Sequence, residues 1–327
     1  MRMLFIMWLV TSLIFVLIRL MPGNPVDAMV QELVSQRGLS IEEARDMASQ
    51  MIGLNLKESI LSQYGDFMIN LLHGDLGKSY RSPGKDVSEL IMSRLPWTLF
   101  SVGISLTISF VIGMILGTLI AYKRGGVTDN LLSNVAAIFD AIPGFLTAII
   151  VFLLLGVIWK IYPLGYMRGV VSPGMKIDFS IPFFVDALRH LFVPALVYIL
   201  ATCGAWMLTM KSSTVTILEE DYVTAARARG LSEWRILTAY VARNASLPLV
   251  TRLAVTIGFL VGGSVIIEQI FTYQGVGVML LQAISSRDYP VMQGVFMVIT
   301  IAVVFANFLA DLLYGWLDPR VRLETQE

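Results

Sequence analysis

Side chains equipped for catalysis are few in this chain and lie far apart. The histidines are His73 and His190, and the single cysteine is Cys203. Two distant histidines make no metal-ligand cluster, one thiol forms no intrachain disulfide, and no nucleophile stands beside a base. The run Gly74-Asp75-Leu76-Gly77-Lys78-Ser79 ends like a phosphate-binding loop. That loop needs four residues between its glycines, however, and here there are two. The sequence therefore argues against a membrane enzyme and against an ATPase site of its own, and it calls for no cofactor or metal. His73 reads as exposed, His190 as a helix-boundary residue and Cys203 as a small packing residue.

Three charges interrupt strongly apolar runs: Asp140, Arg252 and Glu268. A charge at the centre of a membrane helix costs roughly 2.5–3.5 kcal/mol on insertion scales. Each is therefore either an anchor at the membrane boundary or a gate or substrate contact on a transport path. Asp311 reads as an anchor near the end of the last apolar run.

The most informative polar stretch is Glu219-Glu220-Asp221-Tyr222-Val223-Thr224-Ala225-Ala226-Arg227-Ala228-Arg229-Gly230-Leu231-Ser232-Glu233-Trp234-Arg235. Alanine favours helix and keeps the surface low. Asp221 suits the positive N-terminal end of a helix, and Gly230 suits a C-terminal cap. Ser232 suits the N-cap of a second helix. The expected product is a compact, basic helical elbow with small side chains, able to lie in a groove on another protein.

The elements that must position these residues belong in a membrane. Of 327 residues 56% are hydrophobic and 15% charged, with mean hydropathy +0.73, against about 25% charged in soluble domains. With 24 basic and 24 acidic residues, no basic stripe marks a nucleic-acid partner. Six apolar runs approach the roughly 20 residues a membrane helix needs: about 3–21, 97–122, 131–159, 191–210, 247–271 and 291–313. The first is too long for a signal-peptide core and lacks a small-residue cleavage site. It reads as a retained helix with Arg19 snorkelling at its end. Pro143-Gly144 should bend the third. Gly113 and Gly117 form a G-x-x-x-G, and Gly258, Gly262 and Gly263 cluster in the fifth run. Such small residues serve helix packing within the subunit, or else a pore wall or subunit interface.

The expected organisation is a first transmembrane helix at 1–21, a helical extracytoplasmic segment at 22–96, and a transmembrane core at 97–320 with a cytoplasmic loop at 211–246. In the second part, Ser40 and Glu43 form a capping-box pattern. Ile60, Tyr64, Phe67, Met68 and Leu71 recur at helical spacing. With the N-terminus inside, the inner side collects Arg2, Lys123, Arg124, Lys211, Arg227, Arg229, Arg235, Arg243, Arg320 and Arg322. The short outer loops collect Lys160, Arg168, Lys176, Arg189 and Arg287. That bias of about two to one favours both termini in the cytoplasm. Trp97, Tyr122, Trp159 and Trp316 read as interfacial aromatics.

The stretch Asp221–Ser232 resembles the EAA loop of binding-protein-dependent ABC importer permeases, in the form D-Y-V-x-x-A-R-A-x-G-L-S of the branch that carries peptides and nickel. Thr224 stands where the generic loop has Glu. Further motifs follow in family order: Pro22-Gly23-Asn24-Pro25, Gly74-Asp75-Leu76-Gly77-Lys78-Ser79-Tyr80, Leu95-Pro96-Trp97-Thr98-Leu99, Leu188-Arg189-His190-Leu191 with Val193-Pro194-Ala195-Leu196, Glu268 through Gly277, Arg287-Asp288-Tyr289-Pro290 with Gln293-Gly294, Asp311-Leu312-Leu313-Tyr314, and Leu317-Asp318-Pro319-Arg320. The resemblance implies an all-α type I importer permease, the first of a heterodimeric pair. It also implies two cytosolic ATPase subunits, an external substrate-binding protein and a di- or oligopeptide substrate. Asp221, Tyr222, Ala225, Ala226, Arg227, Gly230 and Leu231 would then form the ATPase-coupling loop. Oligosaccharides or nickel are the alternative cargoes. An ion-coupled secondary transporter is the alternative of another class, but the paired broken helices of two related halves are not found.

Overall fold

The computed structural model describes residues 2–21, 25–52, 59–82, 84–178, 180–260, 262 and 265–317. Among them the structure is helical, with one isolated bridge between Lys78 and Asp86 in place of a sheet. The first helices are α1 (Arg2–Leu20), α2 (Pro25–Arg37), α3 (Ile41–Ile52), α4 (Ile60–Leu72) and α5 (Val87–Tyr122). Next come α6 (Val127–Ala141), α7 (Gly144–Phe152, running on as a π-helix through Ile158) and α8 (Ile181–Leu218). A polar stretch follows with α9 (Asp221–Ala228), α10 (Glu233–Arg235), a π-helical run Ile236–Ala242 and α11 (Arg243–Ala245). The chain ends in α12 (Leu247–Leu260), α13 (Val265–Ile270), α14 (Val276–Ser286) and α15 (Tyr289–Leu317).

Of the six expected spans, four are single helices long and apolar enough to cross a bilayer: α1, α5, α8 and α15. The third is sharper than a bend, since α6 and α7 meet at 99°. Pro143 explains the place. The residue before a proline is pushed out of the helical region, and Ile142 is extended at φ −83°, ψ 121°. Counting that pair as one span gives five. The fifth expected span is divided between α12 and α13; of the four residues between them only Gly262 is described, and Gly263 lies outside the described residues. Pro22-Gly23-Asn24 and Asp318-Pro319-Arg320 also lie outside them, as does Arg322. The second and fourth spans start ten residues earlier than the apolar runs imply. Val87 and Ile91 in α5, and Phe183, Ala187 and His190 in α8, are buried on one helix face. Packing therefore extends both helices, and Pro96 and Pro194 sit inside them, as membrane helices tolerate.

The chain forms two compact units. The first comprises Met1–Thr98, Val261–Val265 and Gln274–Val304. In it α2 and α3 pack through Val26, Val30, Leu33, Ala44 and Ala48. The expected capping box opens α3: the Glu43 amide donates to Ser40 Oγ at 3.3 Å, and the Ser40 amide donates to Glu43 Oε2 at 3.1 Å. The Ser40 hydrogen bonds hold the Glu43 carboxyl below its ordinary range. A larger core joins Ile18, Val87, Ile91, Val276, Met279, Leu280, Val291 and Val295. Gly294 makes it possible, because a Cβ there would lie 2.6 Å from Val87 Cγ1. The Arg19 guanidinium lies 5.3 Å from the Phe15 ring and 5.5 Å from the Tyr289 ring.

The second unit comprises Leu99–Leu260, Ile266–Tyr273 and Phe305–Glu327. Its core joins Val102, Leu106, Phe110, Trp206, Met210, Ala245 and Leu249. The G-x-x-x-G is spent here on packing within the subunit. A Cβ on Gly113 would lie 2.3 Å from Trp206 Cβ, and one on Gly117 would lie 2.6 Å from the Met207 carbonyl oxygen. Gly204 likewise lets α8 touch α6, where an added Cβ would meet the Ala136 oxygen at 2.3 Å.

Candidate functional site

The Asp221–Leu231 stretch folds as a self-contained elbow. Helix α9 ends in a paired-carbonyl cap: the Leu231 amide donates to the Ala226 carbonyl at 3.3 Å and the Gly230 amide to Arg227 at 2.9 Å. This is the Schellman arrangement, with the residue past the cap left-handed. Gly230 fills that place at φ +73°. Leu231 then turns back onto a small core of Val223, Ala226, Ile236 and Val241, joined by Tyr222, Leu237 and Tyr240. The Tyr222 hydroxyl accepts a 2.9 Å hydrogen bond from Asn244 Nδ2. Ile217 and Leu218, the last residues of α8, pack on the same core. Helix α8 therefore ends against the elbow's own core, and the first non-helical residue is Glu219 rather than Lys211.

Several sequence expectations change at this level of detail. Ala226 is 3% exposed, so its small side chain is required by the elbow's own packing. Ala225 is exposed, with Thr224, Arg227, Ala228 and Arg229 around it. Asp221 is the first residue of α9, with Glu220 at the N-cap, and no side chain caps that end. Ser232 does occupy the N-cap of α10 but makes no side-chain cap bond. Arg227 Nε donates to Glu233 Oε1 at 3.3 Å on the surface.

The base of the elbow is fixed by a cluster that the sequence did not reveal. Lys211 Nζ donates to Asp129 Oδ1 at 2.6 Å and to Ser133 Oγ at 2.9 Å. The Gly125 amide donates to Asp129 Oδ2 at 2.9 Å. Lys211 is thus the clasp between α8 and the start of α6, not a loop charge.

The three candidate path residues occupy separate positions. Asp140 is exposed near the α6–α7 break. Arg252 on α12 stacks 5.4 Å from the Trp206 ring and donates to Thr209 Oγ1 at 3.3 Å. Glu268 on α13 is 3% exposed, and its backbone carbonyl accepts the Tyr273 amide at 2.8 Å.

Three of the other motifs are held together by internal hydrogen bonds. The Asp288 carboxylate, 2% exposed, accepts from Ser79 Oγ at 2.5 Å and from the amides of Tyr80 and Arg81 at 3.1 Å each. This joins the Gly74–Tyr80 motif to the Arg287–Pro290 motif. Burial pushes the neighbouring Tyr80 phenol up to about 12. Thr98 Oγ1 accepts the Val276 amide at 2.8 Å, so the Leu95–Leu99 motif caps α14, a helix the apolar pattern had not marked.

Comparison with known proteins gives the family. Residues 87–323 match the family described as the binding-protein-dependent transport system inner membrane component. The dipeptide transport system permease protein DppB of Escherichia coli K12 is 31% identical over 329 residues, covering 96% of this chain and 94% of that protein. The oligopeptide transport system permease protein AppB of Bacillus subtilis is 34% identical over 314 residues, covering 95% and 94%. The chain is a multi-pass membrane permease component with the all-α fold of its class, and it belongs to the binding-protein-dependent transport system inner membrane component family.

Proposed function

We propose that this chain forms one half of the translocation path of an ATP-driven importer of di- and oligopeptides. It pairs with a second, homologous permease, receives substrate from an extracytoplasmic binding protein, and leaves ATP hydrolysis to two cytosolic ATPase subunits. Both termini and the elbow lie in the cytoplasm, and residues 22–96 lie on the opposite face. The peptide cargo is supported by the relatives named for dipeptide and oligopeptide transport.

One observation carries the coupling role. The elbow core includes the last residues of α8, Ile217 and Leu218, and α8 has 38 residues. At 1.5 Å per residue it is about 57 Å long, well beyond the roughly 30 Å hydrocarbon core. A push on the exposed face of α9 is therefore delivered, through the core that α9 shares with Ile217 and Leu218, to a helix that crosses the membrane. Asp221, Tyr222, Ala225, Ala226, Arg227, Gly230 and Leu231 divide the work. Tyr222, Ala226, Gly230 and Leu231 hold the elbow's shape, while Asp221, Ala225 and Arg227 present its contact face.

The test is peptide uptake and ATPase co-purification for Ala225→Trp. The bulky side chain has room in solvent, so the elbow should fold, yet a docked face has none to spare. Uptake should fall at least about tenfold, the equivalent of 1.4 kcal/mol of lost attachment, while the amount of inserted permease stays unchanged. Uptake at the unmodified level, with the ATPases retained, would remove the elbow from the coupling path. Competition by tripeptides, against none by maltotriose or nickel, would separate the peptide reading from its alternatives.

A further inference from the structure

Helix α4 lies in the segment expected to be wholly outside the membrane, yet its contacts place it beside α1 at membrane depth. Ser12 Oγ and the Tyr64 hydroxyl are hydrogen-bonded at 2.6 Å. Phe15 meets the Tyr64 ring edge-on at 5.4 Å and stacks on the Phe67 ring at 5.4 Å. Phe15 itself is 1% exposed. The apolar window of α1 is 18 residues, Met3–Leu20. That is about 27 Å at 1.5 Å per residue, barely the roughly 30 Å of a bilayer core. Helix α1 has no spare length with which to stand above the membrane. Ser12 precedes Leu20 by eight residues, which puts the Tyr64 contact about 12 Å inside that end.

The remaining surface of α4 fits this depth. At 100° per residue it has three stripes. Tyr64, Phe67 and Leu71 face α1. Ser62, Asp66 and Asn70, four residues apart, form an exposed polar stripe with the one charge of the helix. Leu61, Ile69 and Leu72 form an apolar stripe, 83%, 55% and 87% exposed. An amphipathic helix of this kind settles in the interface plane, its apolar side about 5–10 Å into the headgroup and acyl boundary.

We infer that α4 is an interfacial membrane helix, pinned to α1 by Tyr64 and Phe67, with Leu61, Ile69 and Leu72 in the acyl chains of the leaflet at the C-terminal end of α1. The inference rests on α1 crossing the membrane, and it holds whichever compartment that end faces. Lipid is the occupant that the depth of the Ser12 contact selects. A water-facing helix would leave its leucines exposed at a level where water is absent.

The test uses the assembled transporter in vesicles of phosphatidylethanolamine and phosphatidylglycerol. Leu61→Cys, Leu72→Cys and Asp66→Cys are each made with Cys203→Ala and labelled with a bimane fluorophore. Quenching by acyl-chain doxyl lipid should be about threefold or more stronger at positions 61 and 72 than at 66, and quenching by aqueous iodide should rank the other way. These surface positions have no packing role, so the variants should fold. Iodide reaching 61 and 72 as readily as 66 would overturn the inference, because the stripe would then face water. Neither quencher reaching 61 and 72 would also overturn it, because a partner protein would then cover the stripe. Peptide uptake is not part of the readout, so failure here leaves the transport reading standing.

Discussion

The Asp288 latch and the Asp221–Leu231 elbow both lie on motifs quoted above, and they use them in opposite ways. The latch ties residues more than 200 positions apart, since Ser79 Oγ and the Tyr80 and Arg81 amides converge on one carboxylate. Asp288 is 2% and Ser79 4% exposed, so the motif is consumed internally. The elbow closes on contacts within one short stretch of chain, among them Asn244 to Tyr222. It leaves Thr224, Ala225, Ala228 and Arg229 exposed. A recurrent pattern that is spent on internal hydrogen bonds explains a fold. A recurrent pattern whose small residues remain on the surface calls for something outside the chain to explain it.

The largest effect should come from breaking the latch. Asp288→Ala would strand a buried hydroxyl and two part-buried amides, at about 1–3 kcal/mol for a fully buried donor that loses its acceptor and less for the amides. The expected loss is about 3–5 kcal/mol, seen as a lower melting temperature of the purified transporter and less inserted permease. Asp288→Asn, which keeps acceptor capacity, should recover part of it. A melting temperature unchanged in Asp288→Ala would mean that the convergence of the two motifs does not support the fold, and the contrast with the elbow would fail.

A smaller effect is expected at Gly230. A left-handed residue with a Cβ costs about 1–2 kcal/mol, and β-branching adds to that. Nothing lies within 4 Å of a Cβ built on Gly230, so the cost is backbone strain alone. Gly230→Ala should weaken ATPase attachment moderately and Gly230→Val more, while Gly230→Asn, tolerant of that conformation, should lie near the parent. Membrane insertion should not change in any of the three. Equal loss in all three would point to a packed contact at Gly230, contradicting the open space around it.

Local features were legible in the sequence because their partners are neighbours. The Ser40–Glu43 capping box, the Gly230 cap and the break at Pro143 depend on residues within a few positions of one another. The size of the Pro143 break was not legible, since 99° depends on what α6 and α7 pack against. Nor was the inward turn of Ala226, because Ala225 and Ala226 look alike until the helix face is fixed by Ile236 and Val241. Asp288, Lys211 and Thr98 look like motif or loop residues in the sequence because their partners lie 80 or more positions away. Helix α4 was visible as a helix through its apolar spacing. Its place beside α1 needed the Ser12–Tyr64 contact.

The smallest expected effect sharpens the same comparison at Arg227. Its hydrogen bond to Glu233 is 3.3 Å long, with the two side chains 45% and 50% exposed. A pair this open contributes about 0–1 kcal/mol, and less at higher salt. Glu233→Gln should therefore leave the elbow's fold and the transporter's melting temperature unchanged within about 1 °C, while Arg227 keeps its charge. If the elbow is a contact face, Arg227→Gln should weaken ATPase co-purification although Glu233→Gln does not, because the guanidinium acts on the partner rather than on Glu233. The double variant should then match Arg227→Gln alone. If instead Glu233→Gln is as damaging as Arg227→Gln and the two do not add, the ion pair itself sets the elbow's shape. The elbow would then resemble the latch, a motif spent on holding the chain together, and the distinction between the two regions would be lost.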